Sequence, residues 1–348
     1  MSSVYKILAR MITARLRPFL PDLIHSSQTG FVQDRSILDN VVTFYEEVEW
    51  ERQTEQPTTA IMLLDFEKAY DRVDWGFIEG TLYRMGFLDA WIRGISALYR
   101  LASAAVTIET MALYLRGRTP QIQDLHMPID GSPDLVEQEY VDDTMIFCQY
   151  DSDFLDRLKS TLSVFCCASG SLINWHKSSG FVNGVDDVCT WGKHQGFTWV
   201  ALGQTCRYLG FHVGMEVSLW QQFEPVLASI RRKLCHWASM HLSLAGRALV
   251  VNQVLLATAW FTTSCWTLYP QALSRLRCLV RNFLWGGSDG ARDTRPWISW
   301  CTVILPRQEG GQAVHSSVSV TFHVLHFHGM AYYAEGFDRT GAFMLGGD

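Results

Sequence analysis

Two short acidic segments, each set against an apolar run, constrain this chain more than any other feature. The bulky residues Ile61 to Leu64 deliver Asp65 at their end, in the segment Leu64-Asp65-Phe66-Glu67-Lys68-Ala69-Tyr70-Asp71-Arg72-Val73-Asp74-Trp75. Further on, Tyr140-Val141 and the run Thr144 to Cys148 flank Asp142-Asp143, which puts two adjacent carboxylates at the tip of a predicted hairpin. Carboxylates at strand ends are what a two-metal phosphoryl-transfer centre requires. Hard divalent ions take oxygen ligands, and two of them clamp the attacking and leaving oxygens of an in-line displacement. A polar turn, in which Asp is favoured for local reasons, is the plainer account of Asp142-Asp143.

At 348 residues the chain can form one large domain or two smaller ones, and 48% hydrophobic with 18% charged residues excludes a disordered protein. Nine cysteines, an odd count without a Cys-x-x-Cys pair, fit buried thiols in a reducing compartment better than a disulfide framework. The net charge of -6 argues at face value against nucleic acid, but the charge is unevenly spread. Pro225 to Ser288 contains no acid, while Arg231, Arg232, Lys233, Arg247, Arg275, Arg277 and Arg281 carry seven positive charges, leaving -13 for the remainder. A basic backbone-binding lobe joined to an acidic metal-binding lobe has this asymmetry; chance segregation of charge on helix surfaces is the alternative.

Residues 4–19 carry a helical apolar stripe with Lys6, Arg10, Arg15 and Arg17 off it, a pattern that also imitates a transit peptide. Ser36-Ile37-Leu38-Asp39 has the spacing of a helix N-terminal cap. A buried strand is expected over 60–66, helices over 75–85 and 89–101, a hairpin over 140–150, an amphipathic helix over 152–169 and a strand pair within 205–214. Most of 215–285 reads as helical. Ala248 to Leu268 is apolar and long enough to span a bilayer, yet its Asn252, Gln253 and threonines favour a buried core helix followed by an extended turn, and no membrane partner is expected. His323, His326 and His328 lie close in sequence without a cysteine pair at zinc spacing, so no metal site is assigned to them.

Asp65-x-x-Lys68-Ala69-Tyr70-Asp71 followed by Tyr140-Val141-Asp142-Asp143 resembles motifs A and C of the reverse transcriptase palm, in the LINE-type (non-LTR) retrotransposon branch and close to its plant members. The resemblance extends to Tyr5–Arg10, Gln28-Thr29-Gly30-Phe31 and Arg35–Asn40 as fingers segments, to Gly170–Ser178 as motif D, to Tyr208-Leu209-Gly210-Phe211 as the primer grip, and to Leu244-Ala245-Gly246-Arg247, Phe283–Gly286 and Trp297–Trp300 beyond it. It implies an α+β right-hand polymerase, with a small antiparallel palm sheet flanked by helices and then a helical thumb. The implied domains are partial fingers over 1–59, palm over 60–214, basic thumb over 215–290 and a partial tail over 291–348, of which 315–348 match nothing.

The resemblance also implies roles. Asp65, Asp142 and Asp143 would be the catalytic carboxylates and, with the Phe66 carbonyl, would hold two Mg²⁺ ions. Lys177 would donate a proton to pyrophosphate, an exposed loop lysine being the alternative. Tyr70 would exclude a 2′-hydroxyl, so that deoxynucleotide triphosphates are used, unless it is a core tyrosine. Arg35 would contact the triphosphate or else form a salt bridge within the fingers. Tyr208, Leu209 and Gly210 would position the primer end, and Arg231, Arg232, Lys233 and Arg247 would hold nucleic-acid backbone. The implied partners are an RNA template and a DNA primer, and the implied setting is intracellular, in the nucleus. Asp71 and Asp74 are read as capping and surface acids.

The chain departs from the family between Thr107-Ile108 and Glu109-Thr110, where no Gln-Gly-x-x-Leu-Ser-Pro-like motif B stands. A loss of roughly thirty residues at Ile108/Glu109 is expected from family length, together with truncation at the start. RNA-directed DNA synthesis, impaired in this copy, is the first reading. A non-catalytic remnant with residual nucleic-acid binding is the second, and an unrelated two-metal phosphodiesterase is a remote third.

Overall fold

The computed structural model describes residues 3–54, 59–68, 72–99, 137–150, 152–182, 191, 193, 196–263, 270–286 and 297–314. Tyr70, Asp71, the Ile108/Glu109 junction, the three late histidines and residues 315–348 lie outside the described residues. The chain divides into two compact units, Met1–Leu209 and Gly210–Asp348.

In the first unit, α1 (Ser3–Leu16) ends where Pro18 and Pro21 approach, and the chain continues as one 3-10 turn and the short α2 (Leu20–Leu23). Proline fits the first turn of a helix because its missing N–H has no partner to lose there. Helix α3 (Ile37–Thr54) starts at the predicted cap, where the Ser36 N–H donates to Asp39 Oδ2 at 2.8 Å and Leu38 N donates to Ser36 Oγ at 3.2 Å. Strand β1 (Thr59–Asp65) follows, then α4 (Trp75–Arg84) and α5 (Asp89–Tyr99). Asp74 caps α4 by accepting from Phe77 N. The hairpin of β2 (Glu137–Tyr140) and β3 (Asp143–Gln149) leads into α6 (Ser152–Ser169), β4 (Ser179–Val182) and β5 (Thr198–Trp199).

The sheet order is β2-β3-β1-β4-β5. Strand β1 is central and buried along nearly its whole length, which is why it reads as a continuous apolar run and not as an alternation. Successive side chains still point to opposite faces. Ala60, Met62, Leu64, Ile146 and Cys148 pack with Leu155, Leu158, Leu162 and Phe165 of α6. Ile61 and its cross-strand neighbours Phe147 and Phe181 face the other way, where Phe181 meets Phe44 of α3 at 5.4 Å between ring centroids. Each such buried side chain is worth about 1.5–3 kcal/mol, so two helices clamp β1 and fix its C-terminal end. The sheet is not wholly antiparallel as expected: β4 and β5 pair in parallel, Ser179 against Thr198. A two-residue edge strand carries no periodic signal that sequence could reveal.

A separate two-stranded ribbon joins β6 (Cys206–Tyr208) to β7 (Phe211–Val213). Leu209 (φ 48°) and Gly210 (φ 87°) form its turn, and positive φ at both positions matches the tight hairpin geometry that follows strand twist.

The second unit is helical. α7 (Leu219–Ala238) opens with a capping box between Ser218 and Gln221. α8 (Leu244–Val250), a π-helical turn over Val251–Leu256 and α9 (Ala257–Thr263) run on without a break, and α10 (Pro270–Leu284) and the short α11 (Trp300–Val303) complete the unit. Leu227, Ile230, Leu234, Val251, Leu255, Ala259, Leu276, Val280 and Phe283 meet in one core. Leu244–Thr263 is long and apolar enough to cross a membrane by length and composition, but Ala248, Val251, Leu255 and Ala259 of it belong to this core. The helix continues through the π turn to Thr263, and the extended turn expected after it lies outside the described residues.

Candidate active site

Asp65 stands at the last position of β1 and Asp143 at the first of β3, and the two are paired directly across the strands. Asp142 occupies the turn just before, and its carbonyl accepts from Phe66 N at 3.3 Å. Asp142 and Asp143, 77 and 78 positions beyond Asp65 in the chain, are therefore brought to it by one register. Phe66 itself is buried among the core residues under the sheet.

A loop from Leu172 to Ser178 closes the other side. Glu67 N donates to the Leu172 carbonyl, Asn174 N donates to the Asp65 carbonyl, and Asp65 N donates to Ser178 Oγ at 3.2 Å. The same loop carries Lys177, whose ammonium lies 3.6 Å from Asp65 Oδ2. Ser178 was not singled out from sequence; nothing local marks a serine that binds a backbone amide 113 residues away.

Electrostatically the cluster is short of positive charge. Burial pushes the Asp143 carboxyl up to about 7, and the neighbouring charges of Asp142 and Asp65 add to this against a smaller opposing effect of Lys177. Asp65 is also raised, by burial first and then by Asp142, while Lys177 pulls it down. Asp65 Oδ2 is buried without a hydrogen-bond partner. A buried carboxyl oxygen, two carboxyls held up by burial and mutual repulsion, and all-oxygen donors fit a hard divalent cation. Among the described residues no group of three or more His, Cys, Asp or Glu closes into a metal cage, so the carboxylates converge without enclosing an ion.

The remaining predicted site residues fall into several environments. The Arg35 guanidinium donates to the carbonyls of Pro21, Ile24, His25 and Gln28; it fastens the chain between α2 and α3, and among the described residues no acid pairs with it. Tyr208 is buried at 3% exposure, its phenol raised by burial and facing Asn40, near Asp143 and Glu139. Leu209 and Gly210 are half-buried in the ribbon turn. In the helical unit Arg231 pairs with Glu224 at 2.8 Å, one residue outside the acid-free stretch. Lys233 donates to Thr258 Oγ1. Arg247 donates to the carbonyls of Leu242 and Phe283 and lies over the Phe283 ring. Arg232 is exposed.

A mixed α+β sheet flanked by helices, with paired carboxylates at the end of its central strands, defines a polymerase palm. A family model described as reverse transcriptase (RNA-dependent DNA polymerase) matches residues 1–213, and the chain belongs to that family. It is 29% identical over 345 aligned positions to the "Transposon TX1 uncharacterized 149 kDa protein" of Xenopus laevis, an alignment covering 90% of this chain and 25% of that protein. The chain thus spans about a quarter of the length of this relative. Among solved structures it is similar to apo telomerase from Candida tropicalis (TM-score 0.40, 10% identity, 96% of this chain and 59% of that one). A second is telomerase from Candida albicans in complex with a TWJ fragment of telomeric RNA (TM-score 0.37, 10% identity, 94% and 55%).

Proposed function

We propose that this chain derives from the reverse transcriptase of a LINE-type, non-LTR retrotransposon and that its carboxylates are those of two-metal nucleotidyl transfer, from a deoxynucleotide triphosphate to a primer 3′-hydroxyl on an RNA template. The observation that carries the reading is the register pairing of Asp65 with Asp143 beside Asp142, three carboxyls that Lys177 only partly offsets. Asp65, Asp142 and Asp143, with the Phe66 carbonyl, would hold two Mg²⁺. Such ions lower the pKa of a hydroxyl nucleophile and neutralise a leaving pyrophosphate. Lys177, whose ammonium lies 3.6 Å from Asp65 Oδ2, would supply a proton to the leaving pyrophosphate. Tyr70 would select against a 2′-hydroxyl, the Leu209-Gly210 turn would meet the primer end, and Arg232 would hold backbone phosphate. A nuclear setting belongs to the same proposal.

A second reading, a remnant that binds nucleic acid without polymerising it, is favoured by one observation. Between Ile108 and Asp142 the sequence carries no Gln-Gly-x-x-Leu-Ser-Pro-like segment, the motif B of the family. Primer extension on an RNA template, with the chain as it stands and with Asp142→Ala, separates the two. Mg²⁺-dependent extension abolished by the substitution supports the polymerase; no extension by either protein leaves the remnant.

A further inference from the structure

We propose that Gln28 is a positioning residue: its amide holds the Val141-Asp142 turn in the backbone conformation that presents the Asp142 carboxylate, which makes the Ser27–Gly30 loop a clamp on the acidic hairpin. The proposal rests on the reading of these carboxylates as the reaction centre.

The turn needs holding. Tyr140 pairs with Asp143, so Val141 and Asp142 alone connect the strands, and Val141 sits at φ 61°. Tight hairpins place positive φ at the first loop position and normally fill it with glycine. A β-branched side chain is an outlier there and persists only where its surroundings over-determine it. The surroundings here are the loop. Gln28 Oε1 accepts from Val141 N at 3.3 Å and from Gly30 N at 2.8 Å, while Gln28 Nε2 donates to Glu139 Oε2 at 3.4 Å. The loop backbone is stitched to the same strand: Thr29 N donates to the Glu139 carbonyl at 2.9 Å and Glu139 N to the Ser27 carbonyl at 2.8 Å. The Thr29 hydroxyl, with one proton to give, lies within hydrogen-bond reach of both the Glu139 carbonyl and the Asn40 side chain of α3.

Gly30 completes the fit. A Cβ there would lie 2.7 Å from Val141 Cγ2 and 2.8 Å from Val141 N, so the loop can come this close to the turn only with glycine. Gln28 is itself buried, at 6% exposure. Across the turn the Asp142 carbonyl is tied to Phe66 N. The turn is thereby gripped from both ends, at the Val141 amide by Gln28 and at the Asp142 carbonyl by the strand that carries Asp65.

The test uses the full chain with Gln28→Met, which keeps the side-chain length and removes the acceptor, and Gln28→Glu, which keeps an acceptor. Amide hydrogen exchange reports the grip at Val141, and Mn²⁺ titration followed by electron paramagnetic resonance reports the carboxylates. Gln28→Met should speed Val141 exchange about ten-fold, the effect of one hydrogen bond, and weaken Mn²⁺ several-fold with helix α6 amides unchanged. Gln28→Glu, which keeps the Oε1 acceptor but sets a carboxyl against Glu139 in place of the Nε2 donor, should retain more of the Val141 protection than Gln28→Met. Wild-type exchange and Mn²⁺ affinity in Gln28→Met, or equal loss in both variants, overturns the clamp. If Gln28→Met fails to fold, Gly30→Ala crowds the same turn from the same loop, and unchanged Mn²⁺ affinity there also overturns it. Mn²⁺ binding insensitive to Asp142→Asn in the wild-type background defeats the reading of the carboxylates instead, and Val141 exchange then still decides the clamp.

Discussion

The sheet unit and the helical unit handle charge in opposite ways. In the sheet unit, Asp65, Asp142 and Asp143 share a partly buried corner faced, among the described residues, by Lys177, and both Asp65 and Asp143 resist ionisation. In the helical unit, cations that look free in the sequence are occupied: Arg231 by Glu224, Lys233 by Thr258, and Arg247 by two carbonyls and an aromatic ring. A run of like charge therefore says less about ligand binding than a small cluster whose charges cannot satisfy one another. The deficit in the first unit asks for an external cation, whereas much of the apparent surplus in the second is spent on holding helices together.

The largest effect should come from removing that deficit's acids. Asp65→Asn and Asp142→Ala are each expected to lower any Mg²⁺-dependent primer extension by about 1000-fold or more, since each removes a metal ligand from a reaction that depends on charge neutralisation. A loss below ten-fold in both would show that the acidic corner is not the reaction centre and would erase the contrast between the units.

Next comes stability against pH. Asp143 holds its proton more tightly in the folded chain, about 7, than at its ordinary value of 3.8. Its contribution to folding is therefore fully present below pH 3.8 and is lost as pH rises through 7. By linkage the loss at pH 8 amounts to as much as about 4 kcal/mol. Without divalent ions, Asp143→Asn should melt above the parent at pH 8, and the gap should close towards pH 4. Mg²⁺ should raise the melting temperature of the parent at pH 8 more than at pH 6, because binding expels the proton. Calorimetry across this range, with and without Mg²⁺, checks both signs; a gap independent of pH would mean Asp143 ionises freely.

Legibility from sequence followed the range of the interaction. Strand β1, the acidic hairpin and α6 were readable because local period, apolar runs and turn residues specify them. The Ser36–Asp39 cap was readable for the same reason. What could not be read were pairings between distant segments. Arg35 offers no local sign that four carbonyls await it, nor does Ser178 that it receives the Asp65 amide. Gln28 was recognised as part of a motif, but its grip on Val141 spans 113 positions. Glu224 escaped the charge count by one residue, yet it decides what Arg231 does.

Arg247→Met should destabilise the chain by about 2–3 kcal/mol, through two lost backbone hydrogen bonds and a cation–π contact. Chemical denaturation reads it directly, and an effect under about 0.5 kcal/mol, the range of ordinary surface changes, would return Arg247 to the pool of binding cations.

The smallest and sharpest effect concerns Arg232, exposed beside the paired Arg231. If the helical unit holds nucleic-acid backbone, exposed cations such as Arg232 should do it. Arg232→Ala is then expected to leave the melting temperature unchanged and to lower the slope of log affinity against log salt by about 1, the signature of one phosphate contact. Arg231→Ala, which also strands Glu224, should change stability more than the slope. Equal slopes for the parent and both variants would mean that this pair of arginines meets no phosphate, and any backbone contact would fall to the exposed Arg275 and Arg277 of α10.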